Sequence, residues 1–161
     1  MNSRGLDATD RHILAVLQRD GRISNQDLAD QVSLSPSPCL RRIRRLEQLG
    51  FIRHYAAVID PARVGVSLLA YVNVKLEKAA SDSGGQSKAQ QFTRLVEAWP
   101  EVIACYAMTG DLDYLLRVQV PDLDDFSRFM MDTLLAAPGV LDVRSSFALR
   151  TIKEGAALPI P

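Results

Sequence analysis

The sequence is poor in several features, and each shortage excludes a class of protein. Only two cysteines, Cys39 and Cys105, occur among 161 residues, which is too few for a disulfide framework. No apolar run reaches the roughly 18 residues needed to span a bilayer. The N-terminal residues MNSRGLDATD lack the apolar segment of an export signal. We therefore expect a reduced, cytoplasmic protein with no membrane segment.

Lysine is absent from the first 60 residues, although the chain as a whole is electrically balanced. That stretch holds nine arginines and seven acidic residues, whereas the formal net charge of the whole chain is +0. A uniformly basic surface is thus excluded, but a local basic patch that binds nucleic acid is not. With 47% hydrophobic residues, the chain can build one ordinary domain or two small ones.

Signals for catalysis and metal binding are missing as well. His12 and His54 are the only histidines, and no serine or cysteine has a base at a recognised spacing. The segment 81–88, SDSGGQSK, has neither the P-loop spacing nor the dinucleotide-binding spacing of glycines. Its composition is typical of a mobile loop. The sequence predicts a protein that is not an enzyme and that requires no metal or cofactor.

Three short helical patterns follow one another in the first 60 residues. The first begins at Asp7, and the second begins at Ser24, whose spacing to Asp27 is typical of a capping box. The third ends at Gly50, and the alternating segment 51–60 predicts a small strand or wing. The short turn between the second and third helices predicts a helix-turn-helix motif, whose second helix enters the major groove of DNA. A plain three-helix bundle is the alternative.

The third helix has two possible starts, because two Ser-Pro pairs follow each other. With Ser35 as N-cap and Pro36 as first helical residue, the preceding turn has the right length. A start at Ser37 suits the residue before proline better but lengthens the turn to about five residues. We favour the first register, in which Leu34 and Cys39 have the spacing of a hydrophobic staple and Cys39 is a packing residue.

Four arginines within five positions distinguish this helix. At about 100° per residue, one side is apolar, and it holds Leu40, Ile43 and Leu46. The opposite side holds Arg41, Arg42 and Arg45, and Arg44 lies at the edge of the apolar side. Like charges at this spacing destabilise a helix, and only Glu47 offers a nearby opposite charge. DNA phosphates and guanine edges would explain the arrangement, and a solvated face is the alternative. The predicted DNA contacts are Ser35, Ser37, Pro38, Arg41, Arg42 and Arg45.

The second half of the chain predicts a different domain. Alternating segments predict strands over 66–77, 102–109, 114–120 and 140–150. Apolar stripes predict helices over 92–99 and 122–136. The order βαββαβ is that of the ferredoxin-like split unit, an α+β fold with two helices on one face of an antiparallel sheet. We expect a second copy to cover the apolar residues on the other face, which predicts a homodimer.

The turn 109–114, TGDLDY, lies between the second and third predicted strands. Gly110 frees backbone amides in a tight turn, while Asp111 and Asp113 add carboxylates. Such a turn can hold both ends of a zwitterion, and an ordinary hairpin turn is the alternative.

Taken together, these motifs resemble the Lrp/AsnC family of bacterial and archaeal transcription regulators, and the leucine-responsive branch more closely than the asparagine-responsive one. The resemblance covers about residues 6–155. In the first half it is carried by DGRISN, SPSPCLRR and RRLEQLGFI. In the second half it is carried by CYAMTGDLDYLLRVQVPD and DTLLAAPGVLDVRSSFALRTIK.

The resemblance implies a winged helix-turn-helix domain over 1–60, a linker over 61–66, and a RAM-type effector-binding domain over 67–161. It also implies a dimer that assembles further into an octamer, and a small amino acid as effector. The effector-contacting residues that it implies are Thr109, Gly110, Asp111, Leu112, Asp113, Tyr114, Ser145 and Ser146. Asp113 as a structural anchor of the turn is an alternative role. A DNA-compacting protein without effector, or an enzyme-like small-molecule domain, is the alternative function.

Overall fold

The computed structural model describes residues 5–77, 87–155 and 157–161 and divides the chain into two compact units. The first unit comprises the described residues up to Val58 together with those from Ile152 onward, and the second comprises Ile59–Thr151. Most of the loop predicted over 81–88 lies outside the described residues.

The first unit contains three helices, α1 (Ala8–Leu17), α2 (Asn25–Gln31) and α3 (Pro36–Gln48). The Asp7 side chain accepts a hydrogen bond from the amide of Asp10 over 2.8 Å and so caps α1. Ser24 caps α2 as predicted, because its Oγ accepts a hydrogen bond from the Asp27 amide over 3.1 Å. One side of each helix contributes to a shared apolar core, and its fully buried members include Ile13, Leu28, Ala29, Cys39 and Leu46.

Helix α3 ends in a Schellman motif at Gly50. The Phe51 amide donates to the Leu46 carbonyl, and the Gly50 amide donates to the Glu47 carbonyl, both over 2.9 Å. Gly50 has φ of +76°, the left-handed conformation in which a side chain is strained. The predicted role of Gly50 as the residue after the helix is confirmed.

The segment 51–60 forms no strand with any residue that the structure describes. The predicted small strand is therefore wrong for the single chain. A strand requires a neighbouring backbone to complete its hydrogen bonds, and no backbone in the described ranges pairs with this segment. Val58 remains 98% exposed and Ile59 61% exposed.

The C-terminal tail, from Ile152 onward, packs with the first unit, although the sequence placed it with the second domain. The Gln18 side chain contacts the backbone of Leu158 twice. Its Oε1 accepts from the Leu158 amide over 2.6 Å, and its Nε2 donates to the Leu158 carbonyl over 3.2 Å. Ile160 packs against the apolar core, and Arg11 Nε donates to the Pro161 carbonyl.

The second unit is a four-stranded antiparallel sheet with helices, as predicted. After a 3₁₀ turn (Pro61–Val64), its elements are β1 (Leu68–Leu76), α4 (Lys88–Ala98), β2 (Val102–Ala107), β3 (Tyr114–Val120), α5 (Leu123–Arg128) and β4 (Val140–Phe147). The strand order β2-β3-β1-β4 is that of the ferredoxin-like unit. The predicted helix 122–136 is α-helical only through Arg128 and continues as a π-helix over Phe129–Leu134.

The helices cover one face of this sheet. Ala70, Val72 and Val74 on β1 are fully buried against the helices, whereas Tyr71 between them is 38% exposed. Tyr106 on β2 is 56% exposed and pairs with Leu115, which shares the uncovered face with Tyr71. None of the residues that the structure describes covers the aromatic side chains of this face. No helix within the described ranges is both long and apolar enough to span a bilayer.

Candidate nucleic-acid interface and ligand turn

The entrance of α3 has the register that we favoured from the sequence. Ser35 is the N-cap with extended backbone angles, and Pro36 is the first helical residue. The Ser35 side chain makes no capping hydrogen bond, and Ser37 is exposed. Both hydroxyls therefore lie at the start of the helix without a role in its cap. Pro38 is half-buried.

Cys39 is a packing residue, as predicted. It is 0% exposed and lies in the apolar core, against which Leu34 also packs. Burial raises the pKa of the Cys39 thiol above its ordinary value, so the reactive thiolate is disfavoured. Neither packing nor acidity makes Cys39 a reactive site.

The turn between α2 and α3 is fixed by one backbone conformation and one side-chain hydrogen bond. Ser33 has φ of +54°, the only non-glycine residue in the described part of the chain with a positive φ. The Asn25 side chain at the start of α2 donates to the Pro36 carbonyl over 2.9 Å. The two helices of the motif are thus joined by the backbone of the turn and by a hydrogen bond from the start of α2 to the start of α3.

The buried side of α3 differs from the predicted one. Cys39 and Leu46 are 0% exposed and Ile43 is half-buried, whereas Leu40 is 38% exposed. The apolar stripe is therefore centred on Cys39, Ile43 and Leu46, and the opposite side rotates with it. Arg41 and Arg44 are both exposed on that opposite side.

Arg42 and Arg45 contact two carboxylates at the start of α1, those of the N-cap Asp7 and of Asp10. Arg42 Nη1 lies 2.7 Å from Asp7 Oδ2 and 2.7 Å from Asp10 Oδ1. Arg45 Nη1 lies 3.2 Å from Asp10 Oδ2, and Arg45 Nη2 donates to the Gly5 carbonyl over 3.1 Å. We call Asp7, Asp10, Arg42 and Arg45 the ion-pair cluster. The expected outward orientation is wrong for Arg42, because a buried carboxylate attracts its guanidinium inward.

Asp10 is the centre of this cluster and is fully buried. Burying a carboxylate is costly unless charged hydrogen-bond donors surround it, and two guanidinium groups meet that need. The pKa of Asp7 is lowered, first by the hydrogen bond from the Asp10 amide and then by the Arg42 guanidinium. The pKa of Arg42 is raised, mainly by its hydrogen bonds to Asp10 and Asp7. Both shifts stabilise the charged forms.

Both acidic partners were missed at the level of sequence, where only Glu47 offered an opposite charge. Glu47 instead accepts a hydrogen bond from the Tyr55 hydroxyl over 3.2 Å. The available signal was the capping-box spacing of Asp7 and Asp10, which places two carboxylates together at the start of α1.

The turn 109–114 connects β2 and β3 in the second unit. Gly110 has φ of +109° and an added Cβ there would meet nothing within 4 Å, so the backbone is open to the outside. Asp113 anchors the turn: its Oδ2 accepts from the Leu76 amide over 2.7 Å, and its own amide donates to the Val74 carbonyl over 2.9 Å. The carboxylate of Asp111 is exposed.

Ser145 and Ser146 lie on β4, and one chain does not bring them against this turn. Strand β1 separates β4 from β3. Val74 pairs with Tyr114 on one side and Val143 on the other, so the serines begin two residues further from the turn along the sheet. Thr109 and both serines are exposed, while Leu112 and Tyr114 are half-buried.

The two units define a class of protein: a helix-turn-helix module joined to a ferredoxin-like ligand module is the arrangement of a ligand-responsive DNA-binding regulator. Comparisons with known proteins give the family. Residues 6–53 match the winged helix-turn-helix DNA-binding family, and residues 69–158 match the Lrp/AsnC ligand binding domain. The chain belongs to the Lrp/AsnC family of transcription regulators.

Individual relatives agree over almost the entire length. The leucine-responsive regulatory protein of Escherichia coli K12 is 41% identical, over 98% of this chain and 93% of its own. A transcriptional regulator of Neisseria meningitidis, solved in complex with L-Met, is 45% identical with a TM-score of 0.90, over 96% of this chain and 97% of its own. An AsnC family regulator of Agrobacterium tumefaciens is 37% identical with a TM-score of 0.88, over 96% and 97%. These relatives are regulators, and the prediction that the chain is not an enzyme is confirmed.

Proposed function

We propose that the exposed side of α3 binds double-stranded DNA, with contacts from Ser35, Ser37, Pro38 and Arg41. The observation that carries the proposal is that α3 is two-sided: Cys39 and Leu46 are fully buried while Ser37 and Arg41 are exposed. Hydroxyls position the helix on phosphates, and arginine contacts phosphate or guanine. For Arg42 and Arg45, also predicted as contacts, the ion pairs with Asp10 favour a structural role.

We infer that the effector is an amino acid bound at the turn 109–114. The L-Met complex of the Neisseria regulator, at 45% identity, supports this class of ligand. Asp111 offers a carboxylate to the ammonium group, and the open backbone at Gly110 offers amides to the carboxylate. Asp113 orders the turn through its bond to Leu76. Leu112 and Tyr114 complete the proposed site.

We further propose that the uncovered face of the sheet is the dimer interface and that dimers assemble into an octamer. The exposed Tyr71 and Tyr106 on this face support burial against a second copy. Assembly also explains the separation of Ser145 and Ser146 from the turn, because serines of a neighbouring copy complete the site. We place the protein in the cytoplasm with its DNA. We also propose a DNA-binding domain over 1–60, a linker over 61–66 and an effector domain that begins at residue 67, with the tail from Ile152 assigned to the first unit instead of the second.

DNA recognition is tested by measuring the affinity of the protein for two labelled duplexes across a salt series. One duplex carries the promoter of the protein's own gene and the other has a random sequence. A specific regulator binds the promoter about 10³-fold or more tightly than the random duplex. Equal affinity for both duplexes at every salt concentration would favour a DNA-compacting protein over a regulator.

The effector proposal is tested by thermal shifts with each of the twenty amino acids, L-Met included. A ligand present at 100 times its Kd stabilises by about 2.7 kcal/mol, which is an easily measured shift. Asp111→Ala should abolish the shift, whereas Asp124→Ala, an exposed acid in the first turn of α5, should keep it. No shift with any amino acid, or an undiminished shift with Asp111→Ala, would refute the proposed site.

A further inference from the structure

We propose that the four arginines of α3 divide into two pairs with different tasks. Arg41 and Arg44 neutralise DNA phosphates, whereas Arg42 and Arg45 set the orientation of α3 by holding Asp10 of α1. The inference rests on the proposal that α3 binds DNA. It adds Arg44 to the DNA-contacting residues and makes Arg42 and Arg45 positioning residues.

The burial of α3 and its ion pairs together determine which arginines can meet a partner. At about 100° per residue, Cys39, Ile43 and Leu46 define the buried direction. Ser37, Arg41 and Gln48 lie within about 30° of the opposite direction, and Arg44 and Arg45 lie about 50° from it on either side. Arg45 is held by Asp10, which leaves the row Ser37, Arg41, Arg44 and Gln48. All four of these residues are exposed. Two hydrogen-bonding side chains therefore flank two cations in a single row along the helix.

The ion-pair cluster is electrically complete without DNA. The two carboxylates of Asp7 and Asp10 balance the two guanidinium groups of Arg42 and Arg45, and all three ion-pair distances lie between 2.7 and 3.2 Å. Because Asp10 is fully buried, withdrawing Arg42 toward a phosphate would leave a buried charge with one partner fewer. Binding of DNA by this pair would thus disrupt the interactions that it already has.

Arg41 and Arg44 have no such compensation. Neither forms an ion pair with any carboxylate in the described ranges, 5–77, 87–155 and 157–161. They stand three residues apart on one helix face, a spacing at which like charges repel. A phosphate between them would remove this repulsion, and guanidinium groups bind phosphate with paired hydrogen bonds. The exposed row consequently has the chemistry of a phosphate-binding surface.

The division is tested by the salt dependence of binding to a labelled duplex of random sequence. The slope of log affinity against log salt is negative, and its magnitude falls by about 0.9 for each phosphate that the protein no longer neutralises. Arg41→Ala and Arg44→Ala should each reduce the magnitude of this slope, and Arg44→Lys should retain it because the cation remains. Arg42→Ala and Arg45→Ala should leave the slope at the wild-type value and reduce thermal stability instead.

A control variant and a substitute variant separate a lost phosphate contact from a loss of stability. Arg19→Ala removes a cation of the same unit whose Nε donates to the Ala15 carbonyl, and it should change neither slope nor stability substantially. Arg45→Ala replaces Arg42→Ala if the latter fails to fold, because the Arg45 side chain is already 49% exposed. An unchanged slope for Arg44→Ala, or a decrease for Arg45→Ala as large as that for Arg41→Ala, would overturn the division. If the wild-type protein binds neither the random duplex nor the promoter duplex, the proposed DNA contact itself is refuted.

Discussion

A single buried carboxylate determines how the arginines of α3 are used. Asp10 is 0% exposed yet charged groups reach it from two positions of α3. Its presence explains why a helix with four arginines in five positions is compatible with a folded domain. Half of the positive charge is compensated inside the protein, and half remains for a partner outside.

The first prediction concerns Asp10→Asn. Removing one partner from a buried ion pair costs about 3–5 kcal/mol, and the partial exposure of Arg42 and Arg45 reduces this to about 2–3 kcal/mol. We expect that loss in the free energy of unfolding, measured by urea titration of helical ellipticity. Asp30→Asn, an exposed acid that accepts hydrogen bonds from Gln26, is the control and should be close to neutral. Equal stability of the two variants would contradict the role assigned to Asp10.

The second prediction concerns pH and Asp7. The folded-state pKa of Asp7 lies below its ordinary value of 3.8, so its stabilising effect is complete above 3.8 and is lost as pH falls through the lower folded-state value. Asp7→Asn keeps an N-cap acceptor but loses the charge. The difference in Tm between wild type and Asp7→Asn should be constant well above pH 3.8 and should close below it. A difference that persists in strong acid would exclude the charge as its cause.

At the scale of the element, the ends of the helices could be predicted from the sequence more accurately than their buried faces. Ser24, Ser35 and Gly50 end or begin helices where the sequence placed them, because capping depends on neighbouring residues alone. The outer side of α3 was misplaced because Leu40 was counted as buried. Burial depends on the helices that pack against α3, and the identity of Leu40 does not reveal that contact.

Elements that depend on distant partners were also harder to predict. The segment 51–60 has the alternation of a strand but no partner in the described chain. The ladder β2-β3-β1-β4, in contrast, follows from four alternating segments whose order permits few arrangements. The turn 109–114 was located correctly, but the bond from Leu76 to Asp113 joins residues far apart in sequence and could not be inferred.

The third prediction concerns the left-handed backbone at the end of α3. Gly50→Ala should destabilise the first unit by about 1 kcal/mol, because a Cβ at φ of +76° is strained. No atom lies within 4 Å of that added Cβ, so the loss reports conformation and not a clash. Gly5→Ala, at a position with equal space and no positive φ, is the control for Tm measurements. A loss of equal size at Gly5 would show that the left-handed conformation is not responsible.

At the scale of the whole molecule, the C-terminal tail is the least expected feature. The tail, α1 and the segment 49–55 line a cleft of about 850 Å³ in the first unit. An apolar side chain of the tail and the C-cap residue of α1 both contribute to the contact, since Ile160 packs on the core and Gln18 binds Leu158. Nothing in the local pattern of residues 152–161 predicts this contact, because the binding residues lie about 140 positions earlier.

The fourth prediction concerns removal of the tail. A chain ending at Gly155 should show a lower Tm for the first unit, with an unchanged response of the second unit to its effector. Burial of an isoleucine side chain stabilises by about 1.5–3 kcal/mol, and Ile160 is only partly buried, so a loss of about 1 kcal/mol is expected. Gln18→Ala should reproduce part of it. Identical melting of full-length and shortened chains would exclude a stabilising role for the tail.

The tail also affects the order in which the protein can fold during synthesis. Domains generally fold from the N-terminus as the ribosome releases them, and the helix-turn-helix segment emerges first. Its packing against Leu158 and Ile160 must nevertheless wait until the entire sheet-containing unit has been translated. The helix-turn-helix unit is therefore translated first, but its packing is completed only after the sheet-containing unit has been translated.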